Sequence, residues 1–104
     1  MIAKPYSFEE YREIIEYAFS AFPDFNANVK DIMAKGDKVA VRWIFRGTHE
    51  GEYQGIPATG NKVELGFLTI IRFQEGKIVE TWEEYDVLSA FQQLGMELKP
   101  KREK

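Results

Sequence analysis

Few groups in this chain could do chemistry, and the densest set lies between residues 47 and 62, GTHEGEYQGIPATGNK. Gly55, Gly60 and Lys62 come close to the glycine-rich loop that cradles phosphate, where the last glycine is followed at once by lysine and then by a hydroxyl for magnesium. Here Asn61 separates Gly60 from Lys62, Val63 stands where the hydroxyl is needed, and Pro57 removes a backbone donor. Phosphate binding is therefore not expected. The glycines instead suit a crossover at the rim of a bent sheet, with a ligand role as the alternative. His49, the only imidazole, reads as a solvent-facing or hydrogen-bonded loop residue before a catalytic one. Ser20 on a helix and His49 in a loop have no related spacing, so no Ser-His-Asp set can be assembled. Asp86 precedes a short helical pattern and has two roles open to it, helix cap or carboxylate base.

These residues need a scaffold, and the composition limits what it can be. A chain of 104 residues, 44% apolar and 14% aromatic, supports one compact domain over residues 1–104 with one core. There is no cysteine, which excludes disulfides and thiolate metal sites, and one histidine excludes a double-His zinc motif. No apolar run has membrane-spanning length and no export signal is visible, so no membrane contact is expected and the cytoplasm is the default. The net charge is −3, and the last eight residues carry four positive and two negative charges, leaving −5 for the rest. Such a body has no electrostatic reason to bind nucleic acid, and residues 96–104 read as a flexible basic tail.

Hydrophobic periodicity then gives the elements. SFEE at Ser7 is a capping box, and Phe8, Tyr11, Ile15, Ala18, Phe19 and Phe22 form one stripe of a helix ending before Pro23. From Phe25 the period falls to two. Residues 25–34 predict a strand, Gly36 and Asp37 a turn, and VAVRWIFR a second strand with Val39, Val41, Trp43 and Phe45 on one face. Residues 62–73 and 77–85 predict two more strands around QEG. A short helix with Leu88, Phe91 and Leu94 on one side stops at Gly95. The fold class is α+β: a curved antiparallel sheet of about four strands, with an N-terminal amphipathic helix and a short C-terminal helix, in a cone-like roll.

FPDF at 22–25, GDKVAVRW at 36–43, GTHEGEYQGIPATG at 47–60, RFQEGKIVETWEEYD at 72–86 and QQLG at 92–95, in this order, resemble the SnoaL-like polyketide cyclase and ester cyclase family of the nuclear transport factor 2-like superfamily. Ala58 replaces a common second proline. The resemblance covers about residues 7–95 and lacks the family's usual opening of about forty residues, which closes one wall of the pocket. A second copy is expected to cover what is left bare, making a homodimer.

The resemblance implies cofactor-free proton abstraction next to a carbonyl of a hydrophobic small molecule, with Asp86 as the base. Trp82, four residues earlier, would supply an apolar wall. The expected three-residue QEG loop, pairing residues 73 and 77, would put Leu68, Ile70 and Arg72 on one face with Ile78, Trp82 and Asp86, and a two-residue loop would reverse this. Glu84 shares that parity, but a local twist is expected to turn it to solvent along with Glu83. Arg72 stands near a histidine of the family's cyclases. It cannot act as a base, though it could stabilise an enolate. Trp43 is expected in the core or as pocket floor. Three readings follow: such an enzyme, a non-catalytic dimer binding an apolar metabolite, or an interaction module with a filled pocket.

Overall fold

The structure, a computed structural model, describes residues 5–97. The tail expected over 96–104 lies, from residue 98 on, outside the described residues. Ser7 caps α1 (Phe8–Ala21): its hydroxyl accepts from the Glu10 N–H and the Glu10 carboxylate accepts from the Ser7 N–H. Two donors at the start of the helix are thus satisfied. The face of α1 turned to the sheet carries Tyr11, Ile14, Ile15, Ala18, Ala21 and Phe22. Phe8 and Phe19, expected in that stripe, are each 48% exposed, because they fall at its margins.

Four antiparallel strands follow in chain order: β1 (Asn26–Lys35), β2 (Lys38–Thr48), β3 (Lys62–Gln74) and β4 (Lys77–Tyr85). Tyr6 adds a bridge to Thr81 on the free side of β4. Gly36 and Asp37 make the first turn, as expected. The second departs from expectation. Gln74 pairs with Lys77, so the loop is the two residues Glu75 and Gly76, both left-handed at φ 53° and 77°. Successive positive φ values match the twist of a two-residue hairpin, and this outweighs the cost of placing glutamate there. A slip then leaves Val79 unpaired between Phe73↔Ile78 and Arg72↔Glu80. Beyond it Ile70 pairs with Trp82 and Leu68 with Glu84, so these residues share a face, while Ile78 lies opposite Phe73.

Both helices pack against the other face, where Trp43, Phe45, Val63 and Leu65 meet Ala21 and Phe22 in the core. Short α2 (Val87–Gln93) contributes Ala90 and Leu94. Leu88, expected inward, is 48% exposed because Ala90 and Leu94, four apart, define the buried side. The helix closes with Gly95 at φ 92°, its N–H on the Gln92 carbonyl and the Met96 N–H on that of Phe91, a Schellman motif.

Candidate active site

The residues on the helix side of the sheet form cross-strand rows. Trp43, Phe67 and Tyr85 stand side by side on β2, β3 and β4, their rings stacked at 4.5 Å and 4.6 Å between centroids. In the next row Val41, Thr69 and Glu83 are neighbours. A cavity of about 230 Å³ opens between these rows and α1, walled by Ile14, Ala18, Phe22, Leu65, Phe67 and Leu94. The polar residues in its lining are Glu83, Gln54 and a set of tyrosines, among them Tyr53 and Tyr85.

Glu83 is tied down by donors. The Tyr11 hydroxyl donates to Glu83 Oε2 at 2.7 Å and the Thr69 hydroxyl at 3.2 Å. The buried Trp43 Nε1–H in turn donates to Thr69 Oγ1 at 2.9 Å, committing the threonine proton to the acid. Burial pushes the Glu83 carboxyl above its ordinary value, and the bonds from Tyr11 and Thr69 oppose this without cancelling it. Burial, reinforced by the bond to Glu83, pushes the Tyr11 phenol well up, so it stays a donor. The arrangement is a carboxylate held in a mainly apolar wall, with its proton affinity increased by desolvation.

Glu83 departs from the expectation of a solvent-facing side chain. It faces inward and is half-buried, whereas Glu84 is exposed. The reason is register: Glu83 shares parity with Thr81 and Tyr85, and α1 covers that parity. The signal was present in the aromatic residues Trp43, Phe45, Phe67 and Tyr85, whose alternation marks the same face. Leu68, Ile70, Arg72 and Trp82 come together as expected, but on the outer face, away from the cavity. Arg72 there donates from Nε to Glu80 at 2.7 Å and lies 3.8 Å from Asp37. Trp43 is in the core and reaches the site through Thr69. Asp86 is exposed and caps α2, accepting from the Ser89 N–H at 3.0 Å; it does not line the cavity.

The glycine-rich crossover forms one rim of this cavity, supplying Tyr53 and Gln54. Glu50 and Gly51 both donate to the Ala21 carbonyl at 3.0 Å, satisfying the end of α1. A Cβ on Gly51 would collide with the Ser20 carbonyl, so glycine is required there. His49 is fully buried, not solvent-facing. Its Nδ1 accepts from the Thr59 N–H at 3.2 Å and lies 2.9 Å from Thr59 Oγ1, while Nε2 has no hydrogen-bond partner among the described residues. The ring packs on Phe22 at 5.6 Å, holding the crossover to the core.

Among the described residues no group of acidic, His or Cys side chains could hold a metal ion, and no helix is long and apolar enough to cross a membrane.

Residues 3–94 match the SnoaL-like polyketide cyclase family, and the chain belongs to it. Among solved structures it is similar to AclR from Streptomyces galilaeus, described as a candidate hydroxylase, at 36% identity and TM-score 0.77 over 86% of this chain and 68% of that one. IdmH from Streptomyces antibioticus, described as a candidate polyketide cyclase, has 39% identity and TM-score 0.70 over 85% of this chain and 63% of its own. TsrD from Streptomyces laurentii has 32% identity and TM-score 0.77 over 84% and 65%. The chain thus spans about two thirds of the length of these relatives. No curated protein matches it.

Proposed function

We propose that the protein is a cofactor-free enzyme of the cyclase or isomerase type, acting on a hydrophobic small molecule by proton abstraction next to a carbonyl. One observation carries this reading: the half-buried carboxylate of Glu83, held by two hydroxyl donors, faces an apolar cavity. In its ionised form Glu83 takes a proton from carbon, and the C–H electron pair moves onto the carbonyl oxygen as an enolate. The carbanionic carbon then forms a bond to a second carbonyl of the same molecule, and Glu83 returns its proton to the new alkoxide. The product is an isomer of the substrate, so no oxidant or reductant is consumed.

The expectation from family resemblance gave this role to Asp86, whose cap position is exposed. Exchange of the C–H protons of 2-tetralone into heavy water separates the two acids. On this reading Glu83→Gln lowers exchange by about a hundredfold or more, within the ordinary range for losing a general base, and Asp86→Asn lowers it by less than about threefold. The reverse ranking returns the role to Asp86. No exchange above background in wild type, with 2-tetralone still bound, leaves the non-catalytic binder. The open cavity favours both of these readings over an interaction module with a filled pocket.

A homodimer belongs to the same proposal. Every residue of edge strand β1 is exposed, including Val29, Ile32 and Met33 at 51%, 63% and 71%. A bare edge with apolar side chains is a pairing surface. Sedimentation of a well-folded monomer at micromolar concentration would remove this part while leaving the chemistry in place.

A further inference from the structure

The cavity holds polar groups that proton abstraction by Glu83 does not use. Tyr53 and Tyr85 enter it from different elements, a loop and the end of β4, and both line it beside the acid. Glu83 and Tyr85 are two residues apart on one strand face, which separates their Cα atoms by roughly 7 Å. That span leaves room for the carbon that loses a proton and the oxygen that gains the charge. A base needs such a counterpart, because a donor aimed at the developing enolate oxygen stabilises the transition state more than the ground state.

The crossover is built to hold Tyr53 in place. Its tip is a two-residue turn in which the Tyr53 N–H donates to the Ile56 carbonyl at 3.0 Å and the Ile56 N–H returns to Tyr53 at 2.8 Å. Gln54 and Gly55 inside that turn are both left-handed, at φ 51° and 81°. A non-glycine residue held there stores strain that its surroundings must offset. The Tyr17 hydroxyl accepts from the Gln54 N–H at 2.7 Å, and the Tyr17 and Tyr53 rings stack at 5.5 Å. Tyr53 also packs on Phe22 at 5.7 Å. Behind the tip, the Ala21 carbonyl anchors Glu50 and Gly51. So much fixation of one phenol exceeds what closing a loop requires.

We infer that Tyr53 and Tyr85 form a hydroxyl pair that binds the carbonyl oxygen of the substrate and stabilises it as an enolate while Glu83 holds the proton. Burial, and then the neighbouring Tyr53 phenol, push the Tyr85 hydroxyl well above its ordinary value, and the Glu83 carboxylate adds to this. Tyr85 therefore remains protonated and able to donate. Its ring also ends the stack with Phe67 and Trp43, so a planar conjugated carbonyl compound lying on that stack presents its oxygen at the edge where the phenols stand. The crossover is thereby part of the chemistry as well as the rim, since it delivers Tyr53 to the oxygen end of the site.

This inference rests on the reading of Glu83 as base, and two probes test them apart. 2-Naphthol carries an oxygen where an enolate would, and naphthalene has the same rings without it. Wild-type protein is expected to bind 2-naphthol at least about tenfold more tightly, followed by fluorescence. Tyr53→Phe and Tyr85→Phe are each expected to remove about five- to tenfold of that preference, the effect of one hydrogen bond, with naphthalene affinity unchanged. Both variants should also slow 2-tetralone exchange by about tenfold or more. No preference in wild type, a preference that survives both substitutions, or equal weakening of both probes overturns the inference. Exchange that persists in Glu83→Gln overturns the base reading alone, since the naphthol preference still scores the phenol pair. Phenylalanine keeps the rings and their stacking, and a thermal melt within a few degrees of wild type confirms the fold of each variant.

Discussion

Glu83 and Glu84 are adjacent, identical in side chain and carried by one strand, yet they live in different media. The first faces the cavity beneath α1 and accepts from Tyr11 and Thr69, while the second is exposed on the outer face beside Leu68. The two tryptophans repeat the contrast. Trp43 is buried in the core with its N–H bonded, and Trp82 is half-buried on the outer face opposite Ile70. Side-chain type does not explain either pair. Burial against the helices does, because desolvation changes what a carboxylate can do and what an indole contributes.

The contrast can be pressed hardest at the tryptophans. Trp43→Ala should cost about 3–5 kcal/mol in denaturant unfolding, as for large core truncations, while Trp82→Ala should cost no more than about 1 kcal/mol in an uncovered outer face. A larger loss at Trp82, dependent on protein concentration, would mean that a second copy covers that face. Next in size is Gly51→Ala, which forces a methyl against the end of α1 and should cost about 2–3 kcal/mol, against about 1–2 kcal/mol at Gly55, where only the left-handed backbone resists.

The glutamates sharpen the comparison through pH. The folded-state value of Glu83 is raised, so the folded protein holds that proton more tightly than the unfolded chain. Its favourable contribution is complete below the ordinary carboxylate value of 4.5 and is lost as pH rises through the folded value. Glu83→Gln should therefore melt higher than wild type at neutral pH, with the gap closing in acid. Asp24 runs the other way. Thr48 lowers its value through a backbone and a hydroxyl bond, so its contribution is present above 3.8 and is lost as pH falls through the depressed folded value. The smallest effect is at α2, where Asp86→Ala should cost about 1 kcal/mol as a lost cap.

Much of the fold was legible because its signals are local. The Ser7 capping box, the period-two runs and the Gly36 turn need only neighbours in sequence. The site was less so. Parity correctly grouped Leu68, Ile70, Arg72 and Trp82, but parity cannot tell which side α1 will cover when both sides of β3 and β4 carry apolar residues. Trp82 looked like a pocket wall for want of that information. Tyr11, 72 residues from Glu83, and Tyr53, 32 from Tyr85, meet them only through tertiary packing. Asp86 was legible in its local role as cap, since capping is decided within three residues.

Val79 has no partner on β3, and that small omission sets the address of the acid. Were the ladder to run on evenly from Phe73 and Ile78, Thr69 would stand opposite Trp82, and the two glutamates would trade solvents. Which carboxylate faces the cavity is therefore written in a spacing, one valine long, and not in the identity of either residue.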